Sequence, residues 1–133
     1  MERQELERSL CLGLASAQVI PYQRVSLQGW SPAASACHEN VDRWVSETIG
    51  NVAVRGWVVY MPSVFADGRS AIILTAHSIV RGEDGTLYDI TPLSDERVRP
   101  FCRFVAHIGS EESFWTMKNE NNLVWCPDYE DGR

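Results

Sequence analysis

The sequence predicts an α+β fold in which N-terminal helices pack on an antiparallel sheet. Three observations carry this reading. Over 2–16 and again from Cys37 to Ile49 the apolar positions recur at helical spacing, whereas after Asn51 they gather into short runs of β-branched and aromatic residues. The segments joining those runs are too short for repeated helical crossovers, which leaves antiparallel strands. A length of 133 residues, 44% hydrophobic and 23% charged, suits one folded domain spanning 1–133.

Residues 2–16 read as a helix, with Leu6, Leu10 and Leu14 at four-residue spacing among Glu and Arg. Pro21, Gly29 and Pro32, with Ser26, Ser31 and Ser35, mark 21–35 as a loop. A second helix follows, capped by Ser31 or Ser35 and stopped after Ile49 by Gly50-Asn51. On it Val41, Trp44, Val45 and Thr48 share a face with Cys37, which falls in the first turn. Strands are expected over Val52–Met61, Ala71–Val80, Leu87–Thr91 and Phe101–Ile108. Pro62, Asp67-Gly68, Gly82 with Asp84-Gly85, Pro92 and Pro100 separate them. A short helix around Glu111–Lys118 and a frayed acidic end complete the chain. Trp44 and Trp57 fit a helix–sheet core, while Trp30, Trp115 and Trp125 stand in loop-like contexts suited to a cleft or a partner surface.

Twelve Lys and Arg against 18 Asp and Glu give a net charge of −6 with no basic block, which argues against nucleic acid as a partner. No apolar run approaches the ~20 residues of a membrane-crossing helix, so no membrane partner is expected. The first eight residues, Met-Glu-Arg-Gln-Glu-Leu-Glu-Arg, carry both signs of charge instead of a basic and then apolar leader. The expected location is cytoplasmic, with export by a non-classical route the alternative. The four cysteines form no Cys-x-x-Cys pair. Their even number would allow two disulfides, but an apolar core and the lack of an export signal favour reduced thiols, with Cys11, Cys102 and Cys126 as core or surface filler.

Two interruptions of apolar strands point to chemistry. His77 breaks the run Ala71–Val80, and Asp89 breaks Leu87–Thr91. A hairpin loop over 81–85 would set Val80 opposite Thr86 and His77 opposite Asp89, on one face and about 5 Å apart at Cβ. A slip of one residue would part them. A carboxylate there needs a partner, and it would orient the imidazole and raise its pKa. Cys37, at a helix start, supplies a nucleophile whose thiolate both the helix dipole and an imidazolium favour. First-turn N–H groups are donors for an oxyanion. Cys, His and Asp so placed make a complete thiol acyl-transfer site. His38 is expected at the surface, about 100° round the helix from Cys37, and His107 at a strand edge or lining the core.

Cys37-His-Glu-Asn40, Gly56-Trp57, Ala76-His77 and Asp84-Gly85 through Asp89-Ile-Thr-Pro92 resemble a pattern in small papain-like and transglutaminase-like proteins of bacteria and phages. The resemblance covers about 56 residues, Cys37 to Pro92. It implies a papain-like or transglutaminase-like core with Cys37 as nucleophile, His77 as base and Asp89 as its orienter. Gln28 becomes the candidate oxyanion donor, since papain-like enzymes use a glutamine upstream of the cysteine. Asn40, as a first-turn structural residue, and Trp57 complete the expected oxyanion and substrate region. The implied activity is amide hydrolysis, deamidation or acyl transfer on a protein or peptide, with no cofactor.

Two other readings fit the same residues. In a non-enzymatic protein-binding domain of this fold, Cys37 would be a small hydrophobe and His77–Asp89 a structural ion pair. In a zinc site, Cys37, His77 and Asp89, or His38 with His107, would be ligands, although no local His-x-x-His or Cys-x-x-Cys seeds one.

Overall fold

A computed structural model describes residues 2–59, 63–64, 68 and 70–127. Helix α1 (Arg3–Leu12) runs into a 3-10 turn at Gly13–Ser16. Strand β1 (Gln18–Val19), helix α2 (Cys37–Glu47), and strands β2 (Val52–Val59), β3 (Ser63–Val64), β4 (Ser70–Arg81) and β5 (Leu87–Tyr88) follow. A 3-10 turn at Glu96–Phe101 leads to β6 (Arg103–Ala106), α3 (Glu111–Glu120) and β7 (Leu123–Pro127). The fold is α+β, and every strand pair among the described residues is antiparallel. The expected turn residues Pro62 and Asp67, the end of the first long strand at Tyr60 and Met61, and the acidic end 128–133 lie outside the described residues. No helix among the described residues is long and apolar enough to cross a membrane.

The path β1-β6-β2-β4-β3 forms the body of the sheet. Strand β4, twelve residues long, is its spine. One edge of β4 pairs with β2 from Val59↔Leu74 to Val52↔Arg81. Its other edge is shared end to end by two short strands. There β7 pairs residues 71–75 and β5 pairs residues 80–81. Between them Ala76–Ile79 carries no ladder partner on that edge beyond one bond from the Ala76 N–H to the Asn122 carbonyl. This opening in the sheet edge faces the start of α2. The sequence reading had no strand at β7. Its run Leu-Val-Trp-Cys-Pro is short and flanked by amides and acids, and only the free edge of β4 makes it a strand.

Side chains alternate between the two faces of β4, as the strand period requires. Leu74, Ala76 and Val80 face the helices, while Ile79 faces the other way. Leu6, Leu10 and Leu14 meet Phe114 and Met117 of α3 over Trp57, Val59 and Leu74. Val41 of α2 packs with Val80, Tyr88 and Ile90. On the opposite face Ile20, Ile79 and Phe104 form a smaller cluster. Gly56 stands opposite His77 in the ladder, and a Cβ there would overlap the Phe104 ring and the Val105 carbonyl oxygen. Gly56→Ala is expected to cost about 1–3 kcal/mol by overpacking. Urea unfolding of the variant and the wild type checks this; equal midpoints would show that Phe104 yields freely.

Cys11 and Cys126 are joined in a disulfide between α1 and β7, which corrects the expectation that both are merely packing thiols. A separation of 115 residues hides the pair from local sequence reading. Cys37 and Cys102 are the free cysteines.

Candidate active site

The expected serine cap of α2 is absent. Ala36 is the N-cap and offers no side-chain acceptor, so the helix begins at Cys37 with its first-turn N–H groups uncapped by any side chain. Such a helix start favours a negative charge. The chain reaches it through Ser35, which adopts a left-handed φ of 63°. Asn40 holds this approach in place. Its side chain accepts from the Ala33 N–H at 3.1 Å and donates to the Ala33 carbonyl at 2.8 Å and to Thr91 Oγ1 at 3.0 Å. Buried and fully engaged, Asn40 fastens the loop before Cys37 to the segment after Asp89. It is a structural residue of the first turn and not an oxyanion donor.

His77 and Asp89 meet, through a register other than the expected one. Val80 pairs with Tyr88, not with Thr86, a displacement of two residues. Because side chains repeat every two residues, that displacement leaves Asp89 on the face of His77. Strand β5 also ends at Tyr88, short of the expected Thr91. From Asp89 the backbone turns away to the 21–23 segment, with the Asp89 N–H donating to the Pro21 carbonyl and the Gln23 N–H to the Asp89 carbonyl. The carboxylate is thereby aimed at the ring. His77 Nε2 lies 2.7 Å from Asp89 Oδ2, and the two side chains are only 12% and 8% exposed.

Asp89 has two further partners. The Thr91 N–H donates to Oδ1 at 2.9 Å, and Arg99 Nη1 approaches Oδ2 at 3.3 Å. Arg99 is itself fixed by Glu96, the Thr91 carbonyl and the Tyr22 ring. Sequence reading missed Arg99, which lies in a 3-10 turn where a strand boundary was expected and reaches Asp89 only through the tertiary fold.

The Cys37 thiol responds to two imidazoles. Burial alone would raise its pKa, but hydrogen bonding and charge interaction with His38 and His77 bring it down to about 6. Burial likewise works against a charged His77. Asp89 first, and then Cys37, overcome it and push His77 up to about 9. Between these values the site holds a thiolate beside an imidazolium, and the two titrations belong to the pair. Burial raises the thiol of Cys102, the other free cysteine.

His38 is not a surface residue. Its ring is half-buried, edge-on to Trp115 at 5.1 Å and to Phe114 at 5.8 Å. Nδ1 lies 2.6 Å from Ser78 Oγ, to which Arg55 Nη1 donates at 2.8 Å. Arg55 is held by Asp42 at 2.6 Å and Glu111 at 2.9 Å and lies over the Trp115 ring. The signal in the sequence was adjacency, since His38 follows Cys37 and Ser78 follows His77.

Cys37, His38 and His77 open onto a cleft of about 460 Å³. Glu39 and Lys118 are its charged lining residues, beside Thr75, Ser94, Leu93 and Asn122. Gln28 and Trp57 lie elsewhere, contrary to the oxyanion and substrate roles expected of them. Gln28 is exposed in the turn closed by Leu27 and Trp30. Trp57 is fully buried among the helices and donates its Nε1–H to His107 Nδ1 at 3.1 Å. That bond leaves the His107 ring hydrogen on Nε2, which meets Ser113 Oγ at 2.9 Å, while Ser113 donates to the Ser110 carbonyl. Every hydrogen of this chain is committed, so His107 has no free nitrogen with which to activate Ser113. Trp115 is committed to packing rather than to the cleft.

The chain matches no protein-family model, no curated protein and no solved structure. Among the described residues no group of three or more His, Cys, Asp or Glu is arranged to hold a metal ion. What the arrangement offers chemically is a low-pKa thiol, a carboxylate-held imidazole and uncapped N–H groups at one end of a cleft.

Proposed function

We propose that this protein is a thiol-dependent amide hydrolase, deamidase or acyltransferase of papain-like or transglutaminase-like type, acting on a protein or peptide. The observation that carries the reading is His77 engaged by Asp89 through one ring nitrogen at 2.7 Å, while the His77 charge and hydrogen bonding with His38 and His77 bring the Cys37 thiol down to about 6. The Cys37 thiolate attacks the carbonyl carbon, and the carbonyl π pair moves onto oxygen. The tetrahedral intermediate collapses by breaking the C–N bond, and the departing nitrogen takes the His77 proton. The thioester left on Cys37 is then attacked by water or an amine that gives its proton to His77. The C–S bond breaks and the thiolate–imidazolium pair is restored. Asp89 keeps the ring oriented and stabilises its charge throughout.

Iodoacetamide labelling at pH 6, read by peptide mass spectrometry, tests this. About half of Cys37 would be thiolate, and far less of Cys102, whose thiol burial raises, while the weaker nucleophilicity of a low-pKa thiolate returns part of the advantage. Cys37 is therefore expected to outpace Cys102 by at least about tenfold, the margin over an unperturbed thiol, and His77→Ala is expected to remove most of that preference. Equal labelling of the two thiols in the wild type would overturn the proposal and favour a binding domain with structural triad positions.

A further inference from the structure

We propose that His38 is a second catalytic imidazole, whose Nε2–H is the side-chain donor of the oxyanion hole. The inference rests on the thiol chemistry proposed above and assigns the group that receives its developing charge. Ser78 is fully buried, and its Oγ already accepts from Arg55, a group that can only donate. The single Ser78 hydrogen has His38 Nδ1, at 2.6 Å, as its acceptor. The reverse arrangement, with Nδ1–H donating to Oγ, would leave a buried hydroxyl hydrogen unsatisfied at a cost of about 1–3 kcal/mol. The ring hydrogen therefore sits on Nε2, in a ring that lines the cleft together with Cys37. Trp115 and Phe114 fix the ring plane, and the clamp of Asp42 and Glu111 on Arg55 fixes the hydrogen-bond chain behind it.

The two imidazoles thus differ in what lies behind them. His77 has a carboxylate and suits proton transfer; His38 has a hydroxyl donor and suits a permanent outward N–H. In the resting site hydrogen bonding with His38 is one of the causes that lower the Cys37 thiol. Once sulfur bonds to carbon its charge passes to an oxygen two bonds away, within reach of the same donor. The glutamine expected for this role, Gln28, is outside the cleft. The uncapped N–H groups at the start of α2 supply the backbone half of the hole.

Two reagents separate this role from general support of the thiolate. p-Nitrophenyl acetate acylates Cys37 through a tetrahedral oxyanion and releases p-nitrophenolate. Iodoacetamide alkylates it by displacing iodide, with no oxyanion. Both rates are measured in a Cys102→Ser background, at a pH high enough that the Cys37 thiol is fully ionised in every variant. His38→Ala is expected to slow acylation on the order of 100-fold, as loss of one oxyanion donor does, with alkylation little changed. His38→Gln, which restores an N–H donor, is expected to recover part of the loss. Ser78→Ala, which frees Nδ1 to carry the hydrogen, is expected to show the same selective defect and serves as the second variant should His38→Ala not fold. Parallel loss of both rates, or no loss of either, overturns the assignment of His38 alone. A wild type whose Cys37 resists both reagents overturns the thiol chemistry and this assignment together.

Discussion

Asp89→Asn is expected to lower turnover of p-nitrophenyl acetate by about 10³–10⁴-fold, the scale seen when the orienting acid of a catalytic triad becomes an amide. The amide can donate to His77 Nε2, forcing the ring hydrogen to Nδ1, where it can no longer accept a proton from thiol or water. The charge balance changes as well. In the wild type, raising the pH through about 6 forms the Cys37 thiolate, and raising it further through about 9 removes the His77 proton. Iodoacetamide rate against pH should therefore climb in two steps, the second because a thiolate without its imidazolium is the stronger nucleophile. Without the carboxylate His77 binds its proton less tightly, so the lower step should move upward and the upper one vanish. A lower step that stays near 6 would show that Asp89 does not control the pair. The buried shape is conserved in this variant, and a retained thermal melt would assign the loss to chemistry.

The second large effect concerns stability. Cutting the Cys11–Cys126 bridge, by reduction or by Cys126→Ser, releases a 115-residue separation from constraint in the unfolded chain. Loops of this size are worth up to about 5 kcal/mol in the chain-entropy account, and removal of a natural bridge costs about 2–5 kcal/mol. A loss of about 3 kcal/mol lowers the melting temperature of a chain this long by about 10 °C. Calorimetry with and without reductant measures it, and Cys102→Ser is the control in which no such fall is expected. Identical melts of the oxidised and reduced protein would remove the bridge from the account of stability. Cys126→Ser is the more demanding variant, since that side chain is only 3% exposed and a hydroxyl there lacks an obvious partner.

The parts of the fold legible in sequence are those set by local periodicity. Leu6, Leu10 and Leu14 announced α1, and the change of period at Asn51 announced the sheet. The pairing of His77 with Asp89 was reached through a register two residues out, and the error did no harm because parity alone decides the face. Features set by distant partners were not legible. Strand β7 exists because β4 is longer than β5, and Cys126 finds Cys11 only once β7 has docked beside α1. His38 was placed at the surface from its angle round the helix. That angle says nothing of Trp115, which arrives from α3 to cover the ring. Ser35 looked like a cap because serine usually caps. Here the helix starts two residues later at Cys37, and its open N–H groups belong to the site.

The amide of Asn40 has a geometric consequence. It ties Ala33 to Thr91; the Thr91 N–H holds Asp89, Asp89 holds His77, His77 engages Cys37, and Cys37 shares a helical turn with Asn40. The links return to their starting point, forming a closed circuit and not an open chain of supports. In an open chain positional errors accumulate toward the free end; in a circuit each group is restrained from two directions. Cys37 and Asp89, 52 positions apart in sequence, are therefore registered to each other by a few side chains and do not depend on the stiffness of the sheet between them.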